Sequence, residues 1–224
     1  MMTGCFISFE GIDGAGKSTH VEACAEWLRK RGQTVVLTRE PGGSELAEAV
    51  RHWLLNHEMA VQTEALLAFA ARSDHLDRVI RPALAEGKWV ICDRFTDSTF
   101  AYQGPGLGGE IRYLSGLEQW LHGDLQPART YYFELAPEVA AARRAAVRQA
   151  DRFEARDLTY FEQVGRAYRK RVLDDEARFL VLDASQPREV IAGQLMADLA
   201  SVFERWQRGG LASGRQPQPS GGGG

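Results

Sequence analysis

Residues 5–19 read CFISFEGIDGAGKST. The first six form a short, mainly apolar run that is typical of a buried strand, and the glycines behind it mark a turn. The turn, GIDGAGKS (11–18), has the spacing G-x-x-x-x-G-K-S of a phosphate-binding loop between a strand and a helix. Backbone N–H groups of such a loop surround phosphates, its lysine reaches the outer phosphates, and its hydroxyl can ligate Mg²⁺. This stretch therefore predicts a nucleoside triphosphate site.

Short apolar runs elsewhere in the chain predict the fold class. They occupy residues 5–10, 34–38, 89–93, 130–135 and 178–183. The runs are continuous rather than alternating, which is typical of parallel strands covered on both faces. Stretches of helical periodicity separate them. We therefore predict an α/β fold, with a five-stranded parallel sheet flanked by helices and with ligands at the carboxyl ends of the strands.

Length and composition favour one globular domain. The chain has 224 residues, of which 44% are hydrophobic, and this suits a single domain over residues 1–207. Residues 208–224 lack apolar periodicity and are predicted to be a disordered tail.

Charge and cysteine usage narrow the classes of partner and location. A net charge of -3 argues against nucleic acid as a partner, and the absence of a long apolar run argues against a membrane. The beginning of the sequence lacks the pattern of a secretory signal. The three widely spaced cysteines, without a CxxC pair, indicate reduced thiols, so we expect a cytoplasmic protein.

Charged residues at two strand ends predict a second anion site. TREPGG (38–43) places Arg39 at the end of the second strand, and CDRF (92–95) places Asp93 and Arg94 at the end of the third. Both ends lie at the sheet edge that carries the phosphate-binding loop. Two arginines can hold a phosphate by bidentate hydrogen bonds, and a strand-end aspartate can ligate Mg²⁺. Each charge alone could instead be solvated, but together beside the loop they favour a site.

The phosphate-binding loop alone fits several classes of protein. These include a GTPase, a motor ATPase, a regulatory ATP-binding module and a small-molecule kinase. The sequence has no Asn-Lys-x-Asp tetrad for guanine, which argues against a Ras-type GTPase. A second anion site favours transfer to an acceptor that already carries phosphate, over a kinase for free nucleosides or a module without turnover.

Five motifs, taken in order, resemble the thymidylate kinase family. They are FEGIDGAGKST (9–19), LTREPGG (37–43), FAARSDH (69–75), CDRFTDSTFAYQG (92–104) and DRFE (151–154). The resemblance runs from about residue 6 to residue 185. It implies the P-loop nucleoside monophosphate kinase fold, and transfer of the γ-phosphoryl group of ATP, with Mg²⁺, to thymidine monophosphate for dTTP synthesis. It also implies a homodimer.

The resemblance assigns residues to the base and sugar of the acceptor. Phe69 would stack on thymine, and Arg72 would donate a hydrogen bond to its carbonyl edge. Helical spacing alone instead favours Phe69 as an ordinary core residue. Ser98 and Gln103 would line the base pocket. Tyr102 would crowd the 2′ position and so favour deoxyribose.

Further assignments concern the phosphates. Arg39 and Arg94 would hold the acceptor phosphate, and Asp13 would approach it or the sugar 3′-OH. Ser18 and Asp93 would ligate Mg²⁺. The catalytic set would begin with Lys17 and Arg94, and the ATP-binding loop would comprise Gly11, Ile12, Asp13, Gly14, Ala15, Gly16, Lys17, Ser18 and Thr19.

A cationic stretch resembles the family's lid over ATP. Residues 137–154 are rich in arginine, and the loop has Gly14 where one class of the family has arginine. This combination resembles the bacterial class, in which the lid supplies the basic residues. Arg143 is the first candidate for contacting the transferred group and Arg148 the second, although the pattern also fits a solvated basic helix. LDASQP (182–187) resembles the turn that contacts adenine, or is an ordinary strand-end turn.

Overall fold

The computed structural model describes residues 4–104, 110–123, 125–145 and 156–209. Its strands are β1 (Cys5–Glu10), β2 (Val35–Arg39), β3 (Trp89–Asp93), β4 (Arg129–Glu134) and β5 (Phe179–Asp183). Its helices are α1 (Lys17–Arg29), α2 (Glu45–Asn56), α3 (Val61–His75), α4 (Arg81–Ala85), α5 (Thr96–Tyr102), α6 (Ile111–His122), α7 (Pro137–Ala145), α8 (Leu158–Asp174) and α9 (Arg188–Gln207). A π-helical turn, Leu76–Ile80, joins α3 to α4. Most of the predicted C-terminal tail lies outside the described residues.

The strands form one parallel sheet in the order β2-β3-β1-β4-β5. This confirms the predicted α/β fold, and each strand begins and ends within one residue of the predicted run. From β1 the chain crosses to the outer strand β2, returns to β3, and then passes to the other side of β1. The loop after β1 therefore lies where the strand order reverses, which is the usual ligand position in open α/β sheets.

The central strand explains why the apolar run is continuous. Every residue of β1 is buried. Alternate side chains, including those of Ile7 and Phe9, enter the larger hydrophobic cluster beside α1, α8 and α9, while Phe6 enters a second cluster with Val90 and Leu76. Because both faces of the strand are covered, both sets of alternating positions are buried. The two polar residues among them are hydrogen-bonded: Ser8 contacts the Thr130 hydroxyl at 2.8 Å, and Glu10 accepts from the Phe95 N–H at 2.7 Å.

The cysteines and the helices can be described further. All three cysteines are buried and free. None of the helices in the described ranges combines the length and the apolar character that a membrane crossing requires.

Gly11 is required by the junction of β1 with the phosphate-binding loop. Its φ is 134°, and a Cβ atom would lie 2.5 Å from the carbonyl oxygen of Phe133 in β4. Gly11→Ala should therefore lower the free energy of unfolding by about 3 kcal/mol, as measured by urea denaturation, because backbone strain and a clash act together. Gly193→Ala is the matched control: Gly193 lies in α9 with open space around its Cβ position, so alanine should stabilise the protein by about 0.5–1 kcal/mol. Equal effects of the two substitutions would contradict this account.

A buried ion cluster holds α5 against α8 and the start of β5. Asp97 Oδ1 accepts a hydrogen bond from Arg171 Nε at 2.6 Å, and Asp97 Oδ2 accepts one from Arg178 Nη1 at 2.7 Å. Arg171 also pairs with Glu118 of α6 at 2.8 Å. Burial raises the pKa of Asp97, but Arg178 and then Arg171 outweigh it and hold this pKa well below its usual range.

Asp97→Asn should lower the free energy of unfolding at pH 7 by about 3 kcal/mol, because it removes the buried carboxylate that Arg171 and Arg178 share and leaves each with one acidic partner, Glu118 and Asp175 respectively, among the described residues. Since the pKa of Asp97 is lower in the folded state, its contribution is present above about pH 4 and is lost as the pH falls toward the folded-state pKa. The difference from wild type should therefore shrink in acid. Asp77→Asn, at an exposed position, should change stability by less than about 0.5 kcal/mol. A pH-independent difference would contradict the role of the charge.

Candidate active site

The phosphate-binding loop has the backbone that its glycines predict. Gly14 and Gly16 have φ values of 89° and 85°. Gly16 precedes the first residue of α1 and has no side chain, so the N–H groups of the first helical turn are left for a ligand at the loop. This arrangement suits an anion.

Lys17 lies against the loop. Its side chain is buried, and Nζ donates to the carbonyl oxygens of Gly11 at 2.8 Å and Ile12 at 3.3 Å. Burial, followed by the nearby Arg94, lowers the pKa of Lys17, while Asp93 and Asp13 act in the opposite direction. The ammonium group is therefore within the predicted triphosphate site, held by two carbonyl oxygens of the loop.

Asp93 is the last residue of β3, and Ser18 lies in α1 directly after the loop; both side chains carry oxygen atoms. Asp93 pairs with Phe9 in the sheet register, so its carboxylate lies beside the end of β1. Its Oδ1 is buried and has no hydrogen-bond partner among the described residues. Ser18 is exposed in the first turn of α1. A carboxylate and a hydroxyl fit Mg²⁺, which usually takes few protein oxygens and completes its shell with water and phosphate.

A cavity opens beside the loop and is bordered by α2, α3 and α5. The predicted residues Asp13, Arg72, Arg94, Ser98, Tyr102 and Gln103 line it. They come from three separate motifs of the sequence, and the fold brings them together. The cavity joins the phosphate-binding loop at Asp13 and Arg94.

Arg94 connects the cavity to the loop. It is the one non-glycine residue with positive φ, 69°, in the described ranges, and its N–H donates to the Phe9 carbonyl oxygen at 2.8 Å. Its guanidinium pairs with Asp13 at 2.9 Å and donates to Ser98 Oγ at 3.3 Å. Burial opposes the charge, but Asp13, foremost among its neighbours, keeps the pKa of Arg94 well above its usual range. Arg94 is therefore a fixed cation between the two sites.

Arg39 ends β2 as the sequence predicted, but its side chain is not among those that line the cavity. Its side chain is 54% exposed and pairs with Glu48 at 3.1 Å, outside the cavity lining formed by the described residues. Arg51 of α2 lines the cavity instead, and its Nη1 donates to the Pro41 carbonyl oxygen at 2.9 Å. Sequence reasoning missed Arg51 because it is not at a strand end. The available signal was its position three residues before the buried Leu54, on the inward side of an amphipathic helix.

Arg72 is held on the cavity wall by buried partners. Its Nε donates to Glu40 Oε2 at 2.7 Å, and its Nη2 donates to Thr99 Oγ1 at 2.9 Å. Glu40 also contacts His75 at 3.0 Å. Burial raises the pKa of Glu40, but Arg72 and His75 outweigh this and lower it. Arg72 Nη1 is buried without a hydrogen-bond partner among the described residues, which leaves one donor for a ligand acceptor.

Phe69 is also placed differently from the prediction. Its ring is 1% exposed and packs with Ala65, Phe100 and Leu114, behind the cavity wall rather than on it. The residue of α3 that lines the cavity one turn before Arg72 is Ala68. The reason is helix geometry: residues four apart, such as Ala68 and Arg72, overlie more closely on this wall than residues three apart. A ring stacked directly on a base at Phe69 does not fit this arrangement.

Two polar residues that the sequence reasoning missed support Ser98. Glu10 Oε2 accepts hydrogen bonds from Ser98 Oγ at 2.6 Å and from Tyr168 OH at 3.0 Å. Burial, and next the Asp97 carboxylate, raise the pKa of Glu10 to about 7. A carboxylate at the end of a mainly apolar strand was the signal for Glu10, whereas Tyr168 lies in α8 and had no signal in the motifs.

The lid is only partly within the described residues. Arg143 of α7 is exposed, and its Nη1 donates to the Ala184 carbonyl oxygen at 3.0 Å, in the turn after β5 that resembles an adenine-contacting turn. Arg148 and residues 151–154 lie outside the described ranges. The contact joins the two segments expected near ATP.

Several known proteins are similar to this chain in sequence or in structure. A family model for thymidylate kinase matches residues 9–194. A thymidylate kinase of Paracidovorax citrulli is 51% identical over 217 residues, covering 92% of this chain and 98% of that protein. One of Ralstonia nicotianae is 52% identical over 205 residues, covering 90% and 100%. The crystal structure of thymidylate kinase from Ehrlichia chaffeensis matches with a TM-score of 0.72 at 30% identity, covering 88% and 99%. The chain therefore has the P-loop nucleoside monophosphate kinase fold and belongs to the thymidylate kinase family.

Proposed function

We propose that this chain transfers the γ-phosphoryl group of MgATP to thymidine 5′-monophosphate, giving ADP and thymidine 5′-diphosphate for dTTP synthesis. The observation that carries the proposal is the position of Arg94, which pairs with Asp13 of the phosphate-binding loop and also lines the adjoining cavity. A donor phosphate and an acceptor phosphate can therefore meet at one cation. Family membership supports the same reaction.

Residues 11–19 hold the triphosphate, and Lys17 neutralises charge on the transferred group. Ser18 and Asp93 hold Mg²⁺, which when bound offsets phosphate charge. Arg51 and Arg94 hold the acceptor phosphate, in place of the pair Arg39 and Arg94. The acceptor phosphate is already an anionic nucleophile, so the protein aligns the two groups and needs no strong general base.

The rest of the cavity suits a pyrimidine deoxynucleotide. Arg72 Nη1 is the donor for a base carbonyl oxygen, and Gln103 and Ser98 supply further polar contacts. The buried ring of Tyr102 limits space beside the sugar and favours deoxyribose. Arg143 and Arg148 remain the lid candidates for contacting the transferred phosphoryl group.

A homodimer in the cytoplasm completes the proposal. Large apolar side chains are exposed on α2 and α3, which border the acceptor cavity, and on the neighbouring α6: they are Trp53, Leu66, Tyr113 and Trp120. An apolar groove between α3 and α6 runs beside Leu66 and Tyr113. Exposed apolar surface of this extent is typical of an interface. Light scattering should therefore give twice the chain mass, and a monomer at micromolar concentration would contradict the dimer.

The test of acceptor choice is ADP release with MgATP and a panel of acceptors. The panel is thymidine monophosphate, deoxyuridine monophosphate, the ribose analogue of thymidylate, adenosine monophosphate and free thymidine. Thymidine monophosphate should give the highest kcat/KM, with kcat near the roughly 1–100 s⁻¹ usual for kinases. A preference for free thymidine would contradict the phosphate site, and a preference for adenosine monophosphate would contradict the base site.

A further inference from the structure

Two hydrogen bonds at the cavity wall join α3 to α5 and to the residue that follows α5. Arg72 of α3 donates to Thr99 of α5 at 2.9 Å, and Gln103 Nε2 donates to Glu64 Oε2 at 3.2 Å. Glu64 lies two helical turns before Arg72, and Gln103 lies one turn after Thr99. The two bonds therefore fix the positions of these segments along each other. Each bond also includes one of the two polar residues expected to face a base in the cavity, Arg72 and Gln103.

The partner of Gln103 decides which end of its amide faces the cavity. A carboxamide has an acceptor oxygen and a donor NH₂ group, and either can face the cavity when no neighbouring group fixes the orientation of the amide. Glu64 is fully buried, and a carboxylate only accepts hydrogen bonds. Gln103 must therefore turn its NH₂ group toward Glu64, which leaves its Oε1 as the atom for a ligand. Gln103 offers an acceptor, and Arg72 Nη1 offers a donor.

The acceptor of Gln103 and the donor of Arg72 complement the hydrogen-bonding edge of thymine but not that of cytosine. Thymine has an acceptor oxygen at C4 and a donor N–H at N3. Cytosine has a donor amino group at C4 and an acceptor at N3. A cytosine in this cavity would place donor against donor and acceptor against acceptor, and unpaired buried polar groups are costly.

We propose that Glu64 is a positioning residue for base specificity: by accepting from Gln103 Nε2, it orients the amide so that the cavity selects thymine over cytosine. The inference rests on the proposed function. Glu64 does not touch the substrate and acts through Gln103. Its effect should therefore appear in the choice between bases rather than in the rate for one base alone.

The experiment compares thymidine monophosphate with 5-methyl-2′-deoxycytidine monophosphate, which has the same shape. Wild type should favour thymidylate by roughly 10³-fold or more in kcat/KM. Glu64→Gln removes the obligatory acceptor, because its own amide can donate or accept, and should reduce this ratio by about tenfold or more. Glu58→Gln, the same change at an exposed position, should leave the ratio unchanged.

A purely structural role predicts something different. If Glu64→Gln lowered kcat/KM for both substrates by the same factor, or left the ratio unchanged, the proposal would be overturned. In a Gln103→Ala background, Glu64→Gln should have no further effect on the ratio, and a persisting effect would also overturn it. The KM for ATP should stay within about threefold of wild type, since the change lies far from the lysine and hydroxyl of the loop.

The double exchange Glu64→Gln, Gln103→Glu keeps the hydrogen bond with donor and acceptor reversed, and a carboxylate at 103 again offers an acceptor to the base. It should restore the thymine preference, which tests the proposal even if Glu64→Gln alone folds poorly. Failure to restore the preference in a folded double variant would overturn the inference. If wild type itself did not favour thymidylate over the methylcytosine nucleotide, this result would contradict the proposed function. The inference about Glu64 would then be overturned as well, because it rests on that function.

Discussion

Lys17→Ala should lower kcat by about 10³-fold or more and leave the chain folded. The ammonium group is buried in the phosphate-binding loop, where its Nζ lies 2.8 Å from the Gly11 carbonyl oxygen. Charge that develops on the transferred phosphoryl group would lose its nearest fixed cation on the donor side. The measurement is ADP release at saturating MgATP and thymidylate, with circular dichroism to verify the fold.

The control for this prediction is Lys30→Ala. Lys30 is the exposed residue at the end of the same helix, α1, so its removal changes the net charge equally without touching the loop. It should keep kcat within about twofold of wild type. Turnover of Lys17→Ala within tenfold of wild type would contradict the account of the donor site.

Arg94→Ala should lower kcat/KM for thymidylate by about 10³-fold, largely through a higher KM for the acceptor. The guanidinium is pre-positioned by Asp13 and by the hydroxyl groups of Ser98 and Tyr168, so little ordering is needed when it binds a phosphate. The KM for ATP should change far less. Initial rates with each substrate varied in turn separate the two effects.

Arg39→Ala is the matched control, because Arg39 ends β2 and Arg94 follows β3 at the same sheet edge. Arg39 is half exposed and bound to Glu48, so its loss should change kcat/KM by less than about fivefold. If Arg39→Ala were as damaging as Arg94→Ala, the replacement of Arg39 by Arg51 in the acceptor site would be incorrect. A rise in the KM for ATP alone in Arg94→Ala would show that the donor and acceptor sites had been exchanged.

The strands could be predicted closely because their signal is local. In a parallel sheet covered on both faces, every position of a central strand such as β1 is buried, and the chain shows this as a continuous apolar run. The loop after β1 could be predicted equally well, because its backbone has positive φ values at Gly14 and Gly16, and glycine adopts such values readily.

The acceptor site was harder to predict, because it depends on side-chain direction. Strand ends indicate a sheet edge, but they do not say whether a long side chain turns toward the cavity, as at Arg94, or toward solvent, as at Arg39. On α3, a difference of one residue separates Ala68 on the wall from Phe69 in the core. Pairing between distant residues, such as that of Glu64 with Gln103, has no local signature in the sequence.

The most direct test of the central claim uses ATP labelled with ³²P at the γ position, incubated with the protein, Mg²⁺ and thymidine monophosphate. Chromatography of the products should place the label in thymidine diphosphate, with one ADP formed for each labelled molecule. Label released only as inorganic phosphate, at a rate that does not depend on thymidylate, would contradict the claim that this chain joins a donor and an acceptor phosphate at one site.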